Sequence, residues 1–246
     1  MDERKVALIT GGATGSGKEV ALMLAAKGIN IAINYSRSEK EALETAALVK
    51  AAGVSCLLLK ADVANDQQVR AMMKNIIQEF GRLDYLVNGA GMTDFVDMAD
   101  LEGLKEEHWD RAMAVNVKGL FFVSRAAAEH LKKTHGSIVN ITSLGGYNGR
   151  ASSIAYAAAK AAAISVTKSL AVVLAPNVRV NGVAPGPVMT RWMAGREEAV
   201  KKIADGTPLG KVCKAENVAE VIVPLLLSAA LVTGQTVIID GGSRMQ

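Results

Sequence analysis

Val6-Ala7-Leu8-Ile9-Thr10-Gly11-Gly12-Ala13-Thr14-Gly15-Ser16-Gly17-Lys18 decides how this chain folds. The run Val6–Ile9 has the length and composition of a buried strand, and the glycines after it let the backbone turn tightly into a helix. A strand, a glycine turn and a helix in that order bring helix N-terminal N–H groups to where an anion's phosphates would sit. Two enzyme classes use such a turn. The phosphate-binding loop of nucleotide hydrolases is met from Gly12 to Lys18, but Glu19 stands where a hydroxyl should hold Mg²⁺, and its carboxylate would repel the phosphates. A dinucleotide-binding turn of the form Gly-x-Gly-x-x-Gly fails because Val20 replaces the third glycine. The variant Thr-Gly-x-x-x-Gly-x-Gly fits every fixed position from Thr10 to Gly17.

Outward from this turn, strands and helices alternate. The pattern predicts strands at Val6–Ile9, Ile31–Ile33, Val54–Leu59, Leu83–Val87, Ser137–Ile141, Val178–Val183 and Thr236–Ile239. It predicts helices over Glu19–Ala26, Ser38–Ala52, Gln67–Phe80, roughly Met113–Lys132 and Ile154–Leu174. Strands of unbroken Val, Ile and Leu are buried on both faces. The expected fold is therefore α/β: one Rossmann-type doubly wound domain over residues 1–246, a seven-stranded parallel sheet with helices on both sides.

Composition bounds the function. The chain has 246 residues, half of them hydrophobic, with 23 Gly and only 5 Pro, which excludes disorder and fibrous repeats. The net charge of +4 is spread along the chain, and its densest cluster, Lys132-Lys133 with His135, is too short for a nucleic-acid stripe. No apolar run approaches the roughly 20 residues that span a bilayer, and no secretory leader is read at the start. Cys56 and Cys213 match no metal or redox spacing. The expectation is a cytoplasmic protein with reduced thiols, no metal, and neither nucleic acid nor membrane as partner.

Tyr156-Ala157-Ala158-Ala159-Lys160 puts a phenol and an ammonium one helical turn apart on one face. A free phenol titrates near pH 10, too high for acid–base work at neutral pH, and a fixed cation beside it should lower that value. Ser143 ends the preceding strand, placed to hydrogen-bond the same substrate oxygen. With these residues the chain resembles the short-chain dehydrogenase/reductase family over nearly its whole length. The motifs run in order: the Thr10–Gly17 loop, Asp62-Val63, Asn88-Gly89-Ala90-Gly91, Asn116, Ser143, Tyr156 with Lys160, Pro185-Gly186 with Thr190, and Asp240-Gly241-Gly242. The subgroup it looks most like is the 3-oxoacyl-carrier-protein reductases and their relatives of other specificity.

The resemblance implies an NAD(P)-dependent oxidoreductase interconverting a ketone and a secondary alcohol, with a catalytically silent cofactor-binding sensor as the alternative. Tyr156 would be the acid or base, Lys160 would hold the nicotinamide ribose and depress the Tyr156 pKa, Ser143 would polarise the carbonyl, and Asn116 would anchor a water-linked proton relay. Gly11, Thr14, Gly15, Ser16 and Gly17 would cradle the pyrophosphate. Asp62 with Val63 would meet adenine, while Asn88, Ala90 and Gly91 line the adenosine side. Pro185, Gly186, Val188 and Thr190 would hold the carboxamide or pyrophosphate region. Gly89 replaces the second Asn of the family's usual Asn-Asn-Ala-Gly, which puts one strand-positioning hydrogen bond in doubt. Arginines that serve an acidic carrier in the carrier-protein reductases match Thr134 and Val172 here, both uncharged.

Three expectations follow. NADP is preferred over NAD: the acid that usually ends the second strand is replaced by Tyr35, and Arg37 with Ser36 offers donors to a 2′-phosphate. Residues 190–210, with Trp192, Met193 and the adjoining Met189, form a lid over a substrate with an apolar part. The alanine-rich helix around Ala157–Ala171 has too little polar surface to face water, which points to a homotetramer.

Overall fold

The computed structural model describes residues 3–190, Gly195 and 197–245. The strands are β1 (Val6–Thr10), β2 (Asn30–Tyr35), β3 (Cys56–Lys60), β4 (Tyr85–Asn88), β5 (Ser137–Ile141), β6 (Arg179–Pro185), β7 (Val188–Met189), β8 (Cys213–Lys214) and β9 (Thr236–Ile239). The helices are α1 (Gly15–Ala25), α2 (Glu39–Ala51), α3 (Asp66–Phe80), α4 (Glu106–Met113), α5 (Leu120–Thr134), α6 (Gly145–Asn148), α7 (Ile154–Leu174), α8 (Glu197–Asp205) and α9 (Ala215–Leu227). A seven-stranded sheet runs β3-β2-β1-β4-β5-β6-β9, and every pairing in it is parallel. The expected fold is what forms.

Successive side chains of β1 show the double winding. Val6 and Leu8 pack with α3, α5 and α7, through Met72, Ile76, Val123, Leu131 and Leu170. Ala7 and Ile9 pack on the other side with Val20 and Leu24 of α1 and Val218 and Ile222 of α9. Each large aliphatic side chain buried this way contributes about 1.5–3 kcal/mol. Helix ends carry local signals: Asn65 caps α3 by accepting from Gln68 N at 3.1 Å, and Gly81 closes it at φ 73°.

The structure departs from the sequence reading at several ends. α1 starts at Gly15 rather than Glu19, so the last glycines of the turn are already helical. The helix expected from Met113 begins at Glu106 and continues through a π-helical segment, Ala114–Gly119, into α5. α6, α8, α9 and the two-stranded β7–β8 sheet were not expected. The expectation that no apolar run approaches the length of a bilayer span meets one exception, α7. At 21 residues and a mean hydropathy of 1.5 it is long and apolar enough to do so by composition, but half of that stretch is buried in this fold. Trp192 and Met193 of the expected lid lie outside the described residues.

Candidate active site

Strand order reverses between β1 and β4, and a doubly wound sheet binds its ligands at the carboxyl ends of the strands beside that switch. Most of the motifs singled out above follow a strand at that edge: the glycine turn after β1, Ser36 and Arg37 after β2, Asp62-Val63 after β3, Asn88–Gly91 around the end of β4, Ser143 after β5 and Pro185–Thr190 from the end of β6, while Asn116 lies in the π-helical segment and Tyr156 and Lys160 on α7.

The glycine turn is held from outside. Gly12 N donates to Asn34 O at 3.2 Å, and the Thr45 hydroxyl of α2 donates to Ala13 O at 3.0 Å. Gly11 (φ 65°) lies so close to the β4 turn that a Cβ there would come within 2.9 Å of Gly89 O. Gly15 (φ 55°) faces Thr190, whose Cγ2 would be 3.4 Å from an added Cβ. Thr14 precedes α1 in extended conformation without a side-chain cap, and no acidic residue enters the first turn. That leaves a helix N-terminus and a side-chain-free backbone surface, which fits a pyrophosphate. Asp62 is exposed; one carboxylate oxygen accepts from Ala64 N at 2.9 Å, so the other is the one left for a ligand. Val63 differs from expectation: its side chain is buried in the core and its Cγ2 lies 2.7 Å from where a Gly119 Cβ would be, so only its peptide groups can face a cofactor. Ser36 and Arg37 are both exposed just past the buried Tyr35, which packs against Ala13 and Ala42.

At Gly89 the contacts to the strand are made by its main chain alone. Thr10 Oγ1 accepts from Gly89 N and Ala90 N, each at 3.1 Å, tying β1 to the β4 turn. The Asn88 amide, buried, donates to Asn140 Oδ1 of β5 at 2.8 Å and to Ser124 Oγ of α5 at 2.9 Å. Asn88 and Asn140 are register partners, so the side chain stitches two strands at the edge where the site opens. Asn88 therefore acts on the sheet with its donors. Thr10 was read as the first fixed position of the glycine motif but given no role, and Asn140 was not singled out; the available signal was a polar residue within an otherwise apolar strand.

Asn116 lies in the π-helical segment, 2% exposed. Its amide pairs with one peptide, donating to Met92 O at 2.9 Å and accepting from Met92 N at 3.3 Å, and donates again to Ala112 O at 2.9 Å. The side chain is thus occupied in holding the loop after β4, and a relay running through this residue would use its main chain. π-turns of this kind gather at functional sites.

Ser143, Tyr156 and Lys160 converge. Ser153 caps α7 by accepting from Tyr156 N at 3.3 Å, which sets the first turn and with it the phenol. Ser143 Oγ accepts from Gly145 N at 3.2 Å. Lys160 Nζ donates to Ile141 O at 2.9 Å and sits 5.5 Å from the Tyr156 ring centroid. An ammonium has three donors, so two remain for a ribose. The lysine was expected to depress the phenol; burial wins instead. The Tyr156 phenol is pushed up to about 12 by desolvation, with a hydrogen bond to Ser143 pulling the other way. Lys160, buried, is pushed down to about 8 by the same desolvation. Removing both groups from water penalises both charges, and in the protein alone that outweighs their attraction.

A family model described as enoyl-(acyl-carrier-protein) reductase matches residues 11–244. An uncharacterised oxidoreductase of Thermotoga maritima is 38% identical over 249 residues, covering 97% of both chains. The 3-oxoacyl-[acyl-carrier-protein] reductase FabG of Staphylococcus aureus is 36% identical over 250 residues, covering 100% of both. Among solved structures, a short-chain type dehydrogenase/reductase from Mycobacterium marinum superposes with a TM-score of 0.90 at 31% identity, covering 98% of this chain and 96% of the other.

Proposed function

This chain belongs to the short-chain dehydrogenase/reductase family and is an NAD(P)-dependent oxidoreductase; from that premise we propose that it reduces a ketone to a secondary alcohol with Tyr156 as the proton donor. The observation that carries this reading is the convergence of three side chains: the Tyr156 phenol is hydrogen-bonded to Ser143, and Lys160 Nζ sits 5.5 Å from its ring centroid. The nicotinamide, when bound, supplies the hydride to the carbonyl carbon. Ser143, whose oxygen already accepts from Gly145 N, directs its own O–H towards the substrate oxygen. Tyr156 gives that oxygen its proton as the C–O double bond becomes single. Lys160 holds the ribose with its two remaining donors, and Asn116 fixes the loop that walls the pocket.

For the cofactor, the glycine turn Gly11, Thr14, Gly15, Ser16 and Gly17 takes the pyrophosphate, Asp62 and the Val63 peptide take adenine, Asn88, Ala90 and Gly91 flank the adenosine, and Pro185, Gly186, Val188 and Thr190 take the nicotinamide end. The cofactor is NADPH rather than NADH: Ser36 and Arg37 are exposed at the end of β2, and no carboxylate occupies the Tyr35 position to repel a 2′-phosphate. The substrate is a small ketone or 3-oxo thioester with an apolar part, under a lid formed by residues 190–210. Thr134 supports a small substrate over a carrier-bound one, since its hydroxyl is spent on Leu83 O at 2.7 Å. The enzyme works in the cytoplasm as a homotetramer, and α7 leaves Ala161, Ser165, Val172 and Val173 exposed for a second copy.

Tyr156→Phe keeps the ring and removes the proton. With NADPH and a panel of ketones that includes acetoacetyl-coenzyme A, kcat should fall by about 100-fold or more, while NADPH binding by fluorescence is unchanged. Undiminished turnover in this variant would end the mechanism. A wild type that binds NADPH yet reduces nothing in the panel would return the silent sensor.

A further inference from the structure

The loop after β4 adds hydrogen bonds between two parts of the site, the Asn116 segment and the residues before α7, that otherwise meet through apolar contacts. At its start, Met92 is held by the Asn116 amide at both its N–H and its carbonyl, at 3.3 and 2.9 Å. Two residues on, Asp94 Oδ1 accepts from Arg111 of α4 at 2.9 Å, the helix that runs into the π-segment. Between them the Thr93 hydroxyl hydrogen-bonds the Ser152 hydroxyl. Val96 N donates to Ser152 O at 2.9 Å, so Ser152 is gripped by both side chain and main chain. Ser152 directly precedes Ser153, the cap of α7, whose Oγ accepts from Tyr156 N. Residues 92–96 are therefore a strap: one end is pinned to Asn116, the other to the residue before the cap that sets the Tyr156 turn.

Without the strap, Ser152 would belong to a run that includes the exposed Asn148, Gly149 and Arg150, which has no reason to hold a fixed distance from the π-segment. Ala155 and Ala159 of α7 pack on Ala112 of α4 and on Val117 of the π-segment, but these contacts are apolar and non-directional, so packing alone opposes a small rotation of the helix. Hydrogen bonds at the cap add direction to that restraint, and misplacing an acid by about 1 Å can cost about 100-fold in rate. We propose that Thr93 and Ser152 form a positioning latch, which fixes the Tyr156 phenol relative to the Asn116 segment without touching substrate or cofactor. The proposal rests on Tyr156 being the proton donor. It predicts that the latch acts on kcat and leaves cofactor affinity alone.

Thr93→Val keeps the shape of the side chain and deletes the hydroxyl; Ser152→Ala deletes the partner. With NADPH and acetoacetyl-coenzyme A, each should lower kcat by about tenfold, with KM for NADPH within twofold of wild type. The double variant should be no worse than Thr93→Val, because the hydroxyl pair is lost in all three and, of the two single variants, Thr93→Val alone also loses the 3.2 Å bond from Thr93 Oγ1 to Asp94 O. Thr93→Ser, which retains the hydroxyl, should restore most of kcat. Hydrogen exchange gives a readout independent of turnover: a peptide covering residues 149–160 should lose protection in Thr93→Val while peptides from α3 and α9 do not. If kcat in Thr93→Val and in Ser152→Ala stays within twofold of wild type, or if 149–160 exchanges as before, the latch is wrong. If the losses simply add, or Thr93→Ser is as impaired as Thr93→Val, the hydroxyl pair is not the cause and the proposal falls. Tyr156→Phe separates the two readings: an active Tyr156→Phe removes the underlying mechanism, whereas an inactive one beside a fully active Thr93→Val removes only the latch.

Discussion

At the scale of single residues, this protein stands on two charges that burial disfavours. Lys160 titrates near 8 instead of 10.5 because its ammonium is out of water. Between those pH values the unfolded chain still holds a proton that the folded chain has released, so stability rises with pH across that window. Lys160→Met abolishes this dependence. Urea unfolding at pH 7.5 and pH 10 should show the stability of the variant relative to wild type falling by about 2–3 kcal/mol between the two. A constant difference would mean that the lysine is not desolvated as described. The range stops at pH 10 because Tyr156, pushed up to about 12, destabilises the fold as pH climbs from 10 towards that value. Arg37 is the opposite case, an exposed cation that takes part in no ion pair among the described residues. Arg37→Ala should raise KM for NADPH about tenfold or more, the size of a lost charged hydrogen bond, and leave KM for NADH nearly unchanged. Steady-state kinetics with both cofactors decides it, and a wild type that already prefers NADH would contradict the assignment.

At the scale of elements, the turn into α1 is tightly constrained by its own backbone. A Cβ on Gly17 would overlap the Gly11 carbonyl oxygen, and the loop can open for it only by lifting Gly11 off Gly89. Gly17→Ala should therefore cost about 1–3 kcal/mol of stability, the usual range for overpacking. NADPH should also bind at least about tenfold more weakly, measured by calorimetry; unchanged affinity would show that this turn does not hold the pyrophosphate. Elsewhere, elements were hidden where tertiary contacts rather than pattern decide them. Within Glu106–Met113 only Ala112 is buried, so its sequence shows no apolar stripe, yet α4 forms because it packs on α7. α9 hides for the opposite reason. Ala215–Leu227 is apolar nearly throughout and contains Pro224, which reads against a helix, but the proline is exposed while Ile222, Val223, Leu225 and Leu226 fill the layer shared with α1.

For the whole molecule, the apolar surface left by a single chain is the feature to explain. Val172 is 77% exposed and Leu231 fully so, on the outer face of α7 and in the turn before β9. Exposed apolar side chains of this kind fit the proposed docking of another copy. Light scattering at low micromolar concentration should give the mass of four 25.8 kDa chains. Val172→Glu should shift the population to smaller species by burying an unpaired charge at the interface. A monomeric wild type would refute the assembly.

The sequence by itself determined the order of the seven sheet strands and of five helices, the parallel sheet and the choice of Ser143, Tyr156 and Lys160 as candidates, because these rest on local pattern: unbroken apolar runs, glycines at a turn, and a phenol and an ammonium four residues apart. It did not determine their state. That Tyr156 holds its proton more tightly than a free phenol, that the Asn116 side chain is spent on Met92 and Ala112, and that Asn88 stitches β4 to β5 all depend on groups far away in the chain. Burial and partner geometry are properties of packing, and only the folded chain brings Ile141 to Lys160, Met92 to Asn116 and Ser152 to Thr93.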